Sequence, residues 1–437
     1  MIATRRADET DGPTWVGVLD LDEDGPVVGV AGAVEDSHCL ARVLVRKHRA
    51  PLGFVTLSPQ PVETLAERAR AAASVTLAEA LASHAMGDGR PGPDQGAAAD
   101  WTAQTICPSH FPPSEEVGVT VAIPTRNRAG LLRDCLQTLM QVSYAPLEIL
   151  VVDNAPSDES TRDLVVELAR SDPRVTYACE PYPGASAARN HALASARYEI
   201  VALTDDDVLV DPGWVSAIVA AFTADPEVTC VTGLVAPSAL DNPFQRYFEG
   251  RYPSQGMLIP LRYDMSTHRP SSSLYPFAAG LFGRSANMAV RRGPAQRIGG
   301  FDTLLGAGAR CHGGEDLDFF VRLLLDGGRI CFMPSALIWH RHRDDADALR
   351  QAVYVYGYGL GAYLSKHLSN TDLQRALIVH AMHQAGLQAS RMKAASQSSQ
   401  MGVTSNKYVL SEARGFLAGV LGYRVARRRP ASPLSVI

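Results

Sequence analysis

The stretch VGVTVAIPTRNRAGLLRDCLQTLMQVSYAPLEILVVDN, residues 117–154, contains two apolar runs separated by a helical pattern. The runs at 117–124 and 147–153 have the length and composition of buried strands. Between them, apolar residues recur at the spacing of one helix face, at Leu131, Leu132, Cys135, Leu136 and Leu139. A strand, a helix and a second strand in this order predict a βαβ unit with parallel strands.

The same alternation continues to about residue 237, and a second core section lies at 284–343. The segment between them is rich in Pro, Ser and aromatic residues and shows no regular pattern. Residues 86–100 combine Gly, Pro, Ala and Asp without an apolar period, which is typical of a linker. We therefore predict four parts: a small α+β module at 1–85, a linker at 86–116, an α/β domain at 117–345 and a helical region at 346–437.

The composition argues against several classes of protein. With 41 basic and 46 acidic residues the formal net charge is −5, which argues against a broad basic surface for nucleic acid. The seven cysteines are scattered, without the CxxC spacing of a metal site, and we expect them to be reduced. The first residues lack an apolar signal segment, and no run reaches the roughly 18 apolar residues of a spanning helix. These features predict a cytoplasmic protein.

The segment GFLAGVLGYRVARRR, residues 415–429, leaves two interpretations open. It can lie on the anionic inner face of a membrane with its arginines near the headgroups, which would make the protein a peripheral one. Alternatively, it forms a packed terminal helix whose basic end is solvated.

Three consecutive carboxylates, Asp205, Asp206 and Asp207, follow the apolar run VALT within the segment VALTDDDVLVDPGWV, residues 201–215. Like charges so close together repel one another, and a divalent cation such as Mg²⁺ or Mn²⁺ would compensate them through oxygen ligands. In open α/β sheets, ligands bind beyond the carboxyl ends of the strands, where these residues are expected. The alternative is an exposed acidic turn that precedes the next helix.

An ordered set of segments across residues 117–343 resembles the family 2 glycosyltransferases. In chain order the segments are VAIPTRNRAGLL, ILVVDNAPSD, PGASAARNHAL, VALTDDDVLVDPGWV, SANMAVRR, GGFD, GGEDLDFFVRLL and IWHRH. The resemblance implies a GT-A fold, a Rossmann-like nucleotide-diphospho-sugar transferase domain, and covers about half of the chain. Neither the N-terminal module nor the C-terminal region carries a resemblance.

The resemblance implies a set of donor-binding residues after the first strands. It places Pro124, Thr125 and Arg126 beside the nucleotide base, and Asp153 on the base or ribose. It also brings a second group close to the sugar nucleotide, namely Gly184, Arg189 and Asn190. Ordinary turn chemistry is the alternative for the first group, and a helix-surface cation is the alternative for the arginine.

The resemblance also implies a metal site and a DxD motif. Asp207 would bind Mn²⁺ or Mg²⁺ directly, Asp205 would reach the metal or the ribose, and Asp206 between them would contact the donor. His340, after a strand-like run, would be a third metal ligand, with His342 as its competitor.

Asp316 is the general base that the resemblance implies, with Glu315 positioning the acceptor or substituting as base. Both residues begin a predicted helix, and carboxylates in a first turn are favoured by the helix dipole without any catalytic role. That dipole also favours the ionised carboxylate that a base requires.

Taken together, these residues predict metal-dependent, inverting transfer of a sugar from a nucleoside-diphosphate donor to an acceptor hydroxyl. The acceptor, whether a glycan, a lipid-linked sugar or a small molecule, is not readable. We expect residues 247–277 to shape its site, with Tyr247, Arg251 and Tyr252 as candidate contacts.

Two other functions are alternatives to glycosyl transfer. A nucleotidyltransferase is disfavoured because PTRNRAGLL has one glycine and no lysine, unlike a Gly-rich, basic phosphate loop. A catalytically inactive sugar-nucleotide-binding module is disfavoured by the presence of both acidic motifs.

Overall fold

The computed structural model describes residues 12–33, 38, 40–58, 62–88, 117–253, 258–272, 274–371, 373–375, 377 and 405–428. The predicted linker at 86–116 lies outside the described residues except for its first three positions, which are helical. Within the described ranges, no helix combines the length and the apolar character needed to span a bilayer.

The N-terminal module is a four-stranded sheet with two helices on one face. Its sheet order is β2-β1-β3-β4, and only the β1–β3 pair is parallel. The helical stretch expected near residues 63–85 is divided in two around Leu77. The elements are β1 (Thr14–Asp20), β2 (Val28–Gly29), β3 (Leu40–Lys47), β4 (Ala50–Leu57), α1 (Val62–Thr76) and α2 (Ala78–Asp88).

The α/β domain is built on a nine-stranded mixed sheet of order β11-β13-β10-β12-β8-β5-β6-β7, with β9 paired to β13. The predicted parallel pairing is found among β5, β6, β7 and β8, whereas β12 runs antiparallel to both of its neighbours. The strands are β5 (Val119–Thr125), β6 (Leu147–Asn154), β7 (Val175–Glu180), β8 (Ile200–Thr204), β9 (Val208–Val210), β10 (Val228–Pro237), β11 (Leu261–Tyr263), β12 (Asn287–Arg291) and β13 (Arg329–His340).

Helices cover the sheet as the apolar patterns predict, with two additions. The buried residues of α3 include Cys135 and Leu136, on the face expected from their spacing. Helices α7 and α8 were not predicted. The remaining elements are α3 (Ala129–Met140), α4 (Ser160–Ala169), α5 (Ala185–Ser195), α6 (Trp214–Ala224), α7 (Pro243–Arg251), α8 (Arg292–Arg297), α9 (Glu315–Leu325), α10 (Ala346–His367) and α11 (Ser405–Arg428).

The described part of the C-terminal region is helical, as predicted, and helices α10 and α11 pack with their backbones in contact. A Cβ atom added at Gly361 of α10 would lie 2.1 Å from the carbonyl oxygen of Phe416, and one at Gly415 of α11 would lie 2.1 Å from that of Tyr354. Only glycine leaves room for such an approach, so the glycine spacing sets how α10 and α11 associate.

The parallel strands bring their carboxyl ends to one edge of the sheet, which positions the site. Thr125 at the end of β5 lies opposite Asp153 at the end of β6. Asp205 follows β8 on the other side of β5. Residues far apart in the sequence therefore meet at this edge.

Candidate active site

Asp206 and Asp207 are compensated by an arginine that the sequence did not single out. Arg128 directs Nη1 to Asp206 Oδ1 at 2.5 Å and Nη2 to Asp207 Oδ2 at 2.9 Å. The hydroxyl of Thr125 donates to Asp206 Oδ2 at 2.7 Å. Burial raises the pKa of Asp206 to about 6, although Arg128 and Thr125 oppose the rise. Asp206 thus holds the loop after β5 in place.

Asp207 and His340 face each other, with 3.4 Å between Asp207 Oδ1 and His340 Nε2. Burial lowers the pKa of His340 to about 4, so its imidazole is neutral near pH 7. Burial opposes the ionisation of Asp207, but the positive charges and hydrogen bonds around its carboxylate outweigh this effect and lower its pKa. A neutral imidazole and an ionised carboxylate are the forms that bind metals.

The donor set fits a divalent cation that is held only in part by protein. Among the described residues, no group of three or more His, Cys, Asp or Glu side chains is arranged to hold a metal. Asp207 and His340 would therefore supply two ligands, and phosphate oxygens and water would supply the others, as is usual for Mg²⁺ in phosphate sites.

Arg189 connects the two acidic motifs. Its Nη1 lies 2.8 Å from Glu315 Oε1 and its Nη2 lies 3.2 Å from Asp205 Oδ1. The side chain is only 4% exposed, so the alternative of a helix-surface cation is wrong. Burial raises the pKa of Glu315, and Arg189 opposes that rise. The DxD segment and the start of α9 therefore belong to one charge cluster.

Asp316 lies in the first turn of α9 beside this cluster and is partly exposed. Its Oδ1 accepts a hydrogen bond from the backbone N–H of Leu317 at 2.8 Å, and its Oδ2 accepts one from that of Ser285 at 3.3 Å. The Tyr356 hydroxyl, on α10, lies within electrostatic range of Asp316 and Asp205. Asp316 and the DxD segment therefore both lie near the Tyr356 hydroxyl.

Other residues that were predicted to contact the sugar donor form hydrogen bonds within the protein. The amide of Asn190 donates to the carbonyl of Phe301 at 2.8 Å and accepts from its N–H at 2.7 Å. Gly184 adopts a φ of 136° before α5, and its N–H donates to Asn154 Oδ1 at 2.8 Å. These contacts fix the loops around the site, and binding of the donor by these residues stays a prediction.

Asp153 is fully buried and incompletely hydrogen-bonded. Tyr177 donates its hydroxyl to Asp153 Oδ2 at 3.0 Å, whereas Oδ1 has no hydrogen-bond partner among the described residues. Burial raises the pKa of this carboxyl. Pro124 is partly exposed and Arg126 is exposed at the adjacent end of β5. A hydrogen-bond donor of a ligand could reach Asp153 Oδ1 only if the surrounding residues move, because Asp153 is 0% exposed.

The candidate acceptor contacts lie between α7 and the C-terminal helices. The ring of Tyr247 lies 4.8 Å from that of Tyr408. Arg251 and Tyr252 contact the carboxylate of Glu412 on α11 at 2.9 and 3.0 Å. These residues hold α7 against α11, and contact with an acceptor stays a prediction.

Sequence reasoning missed several cations near the DxD motif besides Arg128. Arg343 Nη2 lies 3.6 Å from Asp207 Oδ2. Arg284 is within electrostatic range of His340, and donates to the carbonyl of Tyr252 at 2.8 Å. Arg343 lies three residues after His340, which was the one signal for it in the sequence.

Comparison with known proteins identifies the segment that carries the DxD motif. Residues 120–283 match the family model described as Glycosyl transferase family 2. The pre-mycofactocin glycosyltransferase of Mycobacterium tuberculosis is 31% identical over 231 residues, which are 52% of this chain and 43% of that protein. The hyaluronan synthase of Pasteurella multocida is 31% identical over 125 residues, which are 28% of this chain and 12% of that protein. The chain thus spans less than half the length of these curated relatives.

A solved structure is also similar to this chain. It is the mannosyltransferase PcManGT from Pyrobaculum calidifontis in complex with GDP-Man and Mn²⁺. The two chains share 19% identity with a TM-score of 0.46, over 73% of this chain and 90% of the other. Glu315, Asp316 and His340 lie beyond the end of the family match at residue 283.

Proposed function

The chain belongs to the family 2 glycosyltransferases, and from this premise we propose that it transfers a sugar from a nucleoside-diphosphate donor to an acceptor hydroxyl, with inversion at the anomeric carbon. One observation carries the proposal: the buried Arg189 contacts both Asp205 of the DxD motif and Glu315, the neighbour of Asp316. Residues suited to binding a diphosphate and a residue suited to deprotonating an alcohol therefore share one cluster.

In this proposal, the donor lies along the carboxyl ends of β5, β6 and β8. The nucleoside approaches Asp153, and movement of the residues that cover this side chain would let a hydrogen-bond donor of the ligand reach its unpaired oxygen. The negative diphosphate lies near the cations around the DxD motif, which are Arg128, Arg343 and Arg284. A divalent cation held by Asp207 and His340 would neutralise part of the charge on the leaving group.

The acceptor hydroxyl gives its proton to Asp316 while its oxygen forms a bond to the anomeric carbon. The bond from that carbon to the phosphate oxygen breaks on the opposite face, and its electron pair leaves with the nucleoside diphosphate. The two backbone hydrogen bonds from Leu317 and Ser285 orient the Asp316 carboxylate for this step. Glu315 is already paired with Arg189, so it positions that arginine instead of competing as a base.

The substitution Asp316→Asn tests this assignment. Because the amide cannot take up the proton, we expect transfer of a labelled sugar to fall by at least about 100-fold. Binding of the donor, measured by the rise in melting temperature with UDP-, GDP- and TDP-sugars in the presence of Mn²⁺, should stay close to that of the unchanged protein.

Asp326→Asn is the matched control, since Asp326 ends the same helix in a solvent-exposed pair with Arg297. It should leave transfer unchanged. Full turnover by the Asp316→Asn variant would remove Asp316 from the mechanism. Donor binding without transfer or hydrolysis by the unchanged protein would instead favour an inactive binding module.

We propose, second, that α11 rests on an anionic membrane surface. One face of α11 packs on α10, and the other exposes five apolar side chains, Val409 (52%), Leu410 (60%), Leu417 (64%), Leu421 (64%) and Val425 (53%). Five exposed cations flank or interrupt them, Lys407, Arg414, Arg424, Arg427 and Arg428. The single acid of the helix, Glu412, is paired with Arg251. An apolar strip among cations is complementary to anionic lipid.

Flotation with vesicles tests this contact. The full chain should float with phosphatidylglycerol-containing vesicles and not with pure phosphatidylcholine, and the double substitution Leu417→Glu, Leu421→Glu should abolish the effect. Val75→Glu, at an exposed apolar residue of α1, is the control and should float normally. Equal flotation of the double variant, or dimers in light scattering that this variant dissociates, would contradict the membrane contact.

A further inference from the structure

A cluster of aromatic rings joins α7 to α10 beside the candidate active site. The ring of Tyr356 on α10 lies 4.6 Å from that of Tyr252 at an interplanar angle of 30°, and 5.7 Å from that of Phe248 at 82°. The rings of Phe248 and Tyr252 are themselves 5.2 Å apart. Since the three centroids form a nearly equilateral triangle, both neighbours approach Tyr356 from the same side. The other face of the Tyr356 ring meets no aromatic ring within the described residues.

This second face of Tyr356 is open to solvent. Tyr356 is 42% exposed even though it contacts two other rings. Its hydroxyl is enclosed by protein, since burial is the main cause of the raised pKa of that group. The exposed part of the side chain is therefore the ring, on the face away from Tyr252 and Phe248. An exposed ring that ends in an enclosed hydroxyl lines a cleft and not a convex surface.

The charged groups near the Tyr356 hydroxyl belong to the candidate active site. Three carboxylates raise the pKa of this hydroxyl, those of Asp316, Asp205 and Glu315, and the guanidinium of Arg284 lowers it. Asp316 is partly exposed, and the side chain of Asp205 is 32% exposed. The cleft thus combines one apolar aromatic wall with acceptor and donor groups next to it.

A molecule that fits this cleft needs a flat apolar face and a polar rim. A pyranose ring has both, because its C–H groups form the two faces and its hydroxyls point outward. The C–H groups are attracted to the negative face of an aromatic ring. The hydroxyls can donate to carboxylates and accept from a guanidinium. A linear polyol lacks the rigid face, and a simple aromatic alcohol lacks the rim of hydroxyls.

We propose that the open face of Tyr356 binds a pyranose ring of the acceptor, so that the acceptor is a glycoside. The ring would lie beside Asp316, where one of its hydroxyls can be deprotonated. That the bound ring is an acceptor rests on the proposed function, whereas binding of a pyranose to Tyr356 does not. Tyr356 lies outside residues 120–283, which match the family model, so this contact is contributed by the C-terminal region.

Titration of the full chain with simple glycosides tests the site without donor or metal. The methyl α- and β-pyranosides of glucose, galactose and mannose serve as probes, and saturation-transfer NMR measures their dissociation constants. Sorbitol and benzyl alcohol are the comparison molecules, since each lacks one of the two required features. We expect at least one pyranoside to bind at least about 10-fold more tightly than either of them. Absence of binding by all pyranosides, or tighter binding of benzyl alcohol, would overturn the proposal.

Substitutions at Tyr356 separate stacking on the ring from hydrogen bonding to the hydroxyl. Tyr356→Ala should weaken pyranoside binding by about 10-fold or more, whereas Tyr356→Phe keeps the ring and should change it by no more than about 3-fold. Tyr198→Ala is the control, because Tyr198 precedes β8 and so lies at the opposite edge of the sheet from the DxD motif. It should bind as the unchanged protein does. Unchanged binding by Tyr356→Ala, or an equal loss in Tyr356→Phe, would overturn the stacking.

Transfer kinetics distinguish an acceptor ring from the sugar of the donor. With a nucleotide sugar and Mn²⁺ present, Tyr356→Ala should raise the KM for the bound pyranoside by about 10-fold and leave the KM for the donor unchanged. A rise in the donor KM alone would place the donor sugar on Tyr356 and overturn the proposal. Pyranoside binding that depends on Tyr356, in a protein that transfers no sugar, would instead contradict only the proposed function.

Discussion

Arg189 determines how the charges of the site are balanced at the scale of single residues. Its guanidinium contacts Asp205 on one side and Glu315 on the other, with 4% of the side chain exposed. A buried ion pair contributes little net stability compared with an apolar replacement, but removal of one partner leaves an uncompensated charge. The two carboxylates therefore depend on this one cation.

We expect Arg189→Met to lower the free energy of unfolding by about 3–5 kcal/mol, because it leaves Glu315 and Asp205 without a buried partner. Adding Glu315→Gln removes one of the two uncompensated charges. The destabilisation of the double variant should therefore be smaller than the sum of the two single destabilisations by about 0.5–3 kcal/mol. Urea unfolding of the four proteins in the cycle measures this coupling. Arg162→Met, in an exposed pair with Glu159, should change stability by no more than about 0.5 kcal/mol. Additive effects at Arg189 and Glu315 would contradict the bridge.

Short acidic motifs were easier to predict from the sequence than their partners. The ends of strands and the starts of helices can be predicted from local sequence patterns. The acidic residues at such positions are Asp205, Asp207, Glu315 and Asp316. Arg128 was not identified because its contacts with Asp206 and Asp207 span 78 and 79 residues of sequence. A long side chain also leaves its direction open until the sheet order is known.

At the scale of elements, α9 carries the catalytic candidate Asp316 in its first turn and a structural cluster around Asp318, two residues further on. Asp318 is fully buried and is held by Lys366 and His367 of α10 at 2.8 and 3.0 Å, and by Arg322 of its own helix at 2.8 Å. Burial alone would raise the pKa of Asp318, but the hydrogen bond from His367 and the charges of Arg322 and Lys366 lower it well below its usual value. The cluster ties α10 to α9, and so fixes where Asp316 lies.

We expect Asp318→Asn to destabilise the protein by about 3–5 kcal/mol at pH 7, since it leaves buried cations unpaired. The folded pKa is below the unfolded value of about 3.9, so the stabilisation is complete above that value and is lost as the pH falls through the folded pKa. The difference between the two proteins should therefore shrink below about pH 4. Urea unfolding at pH 7 and pH 3.5 checks this. Asp347→Asn, in an exposed pair with Arg350, is the control, and a difference independent of pH would contradict the cluster.

Element prediction succeeded where one pattern ran for ten or more residues and failed where the signals were short. Helix α7 was assigned to an irregular region, yet Asn242, Pro243 and Gln245 form a capping box with proline in the first turn, which was readable in the sequence. The antiparallel placement of β12 was not readable, since a five-residue run with three apolar residues specifies a strand and not its neighbours. Pairing depends on contacts across the sheet.

At the scale of the whole molecule, the N-terminal module is packed on the face of the large sheet. Strand β3 alternates its side chains between two cores: Val43 faces the module's own helices, whereas Leu44 packs against Leu234, Leu337 and Trp339 of β10 and β13. This apolar contact lies beside the ion pairs that Arg46 and Arg42 make with the α/β domain. The module thus supports the strand that ends in His340.

Two substitutions on neighbouring residues of β3 separate folding of the module from its docking. Both Val43 and Leu44 are 0% exposed, so an aspartate at either position buries an unpaired charge at a cost of several kcal/mol. Leu44→Asp can avoid this cost if the module moves away from β10 and β13, whereas Val43→Asp can avoid it only if the module unfolds. Hydrogen exchange should therefore show α1 protected in Leu44→Asp and unprotected in Val43→Asp. Loss of α1 protection in both variants would mean that the module has no fold of its own.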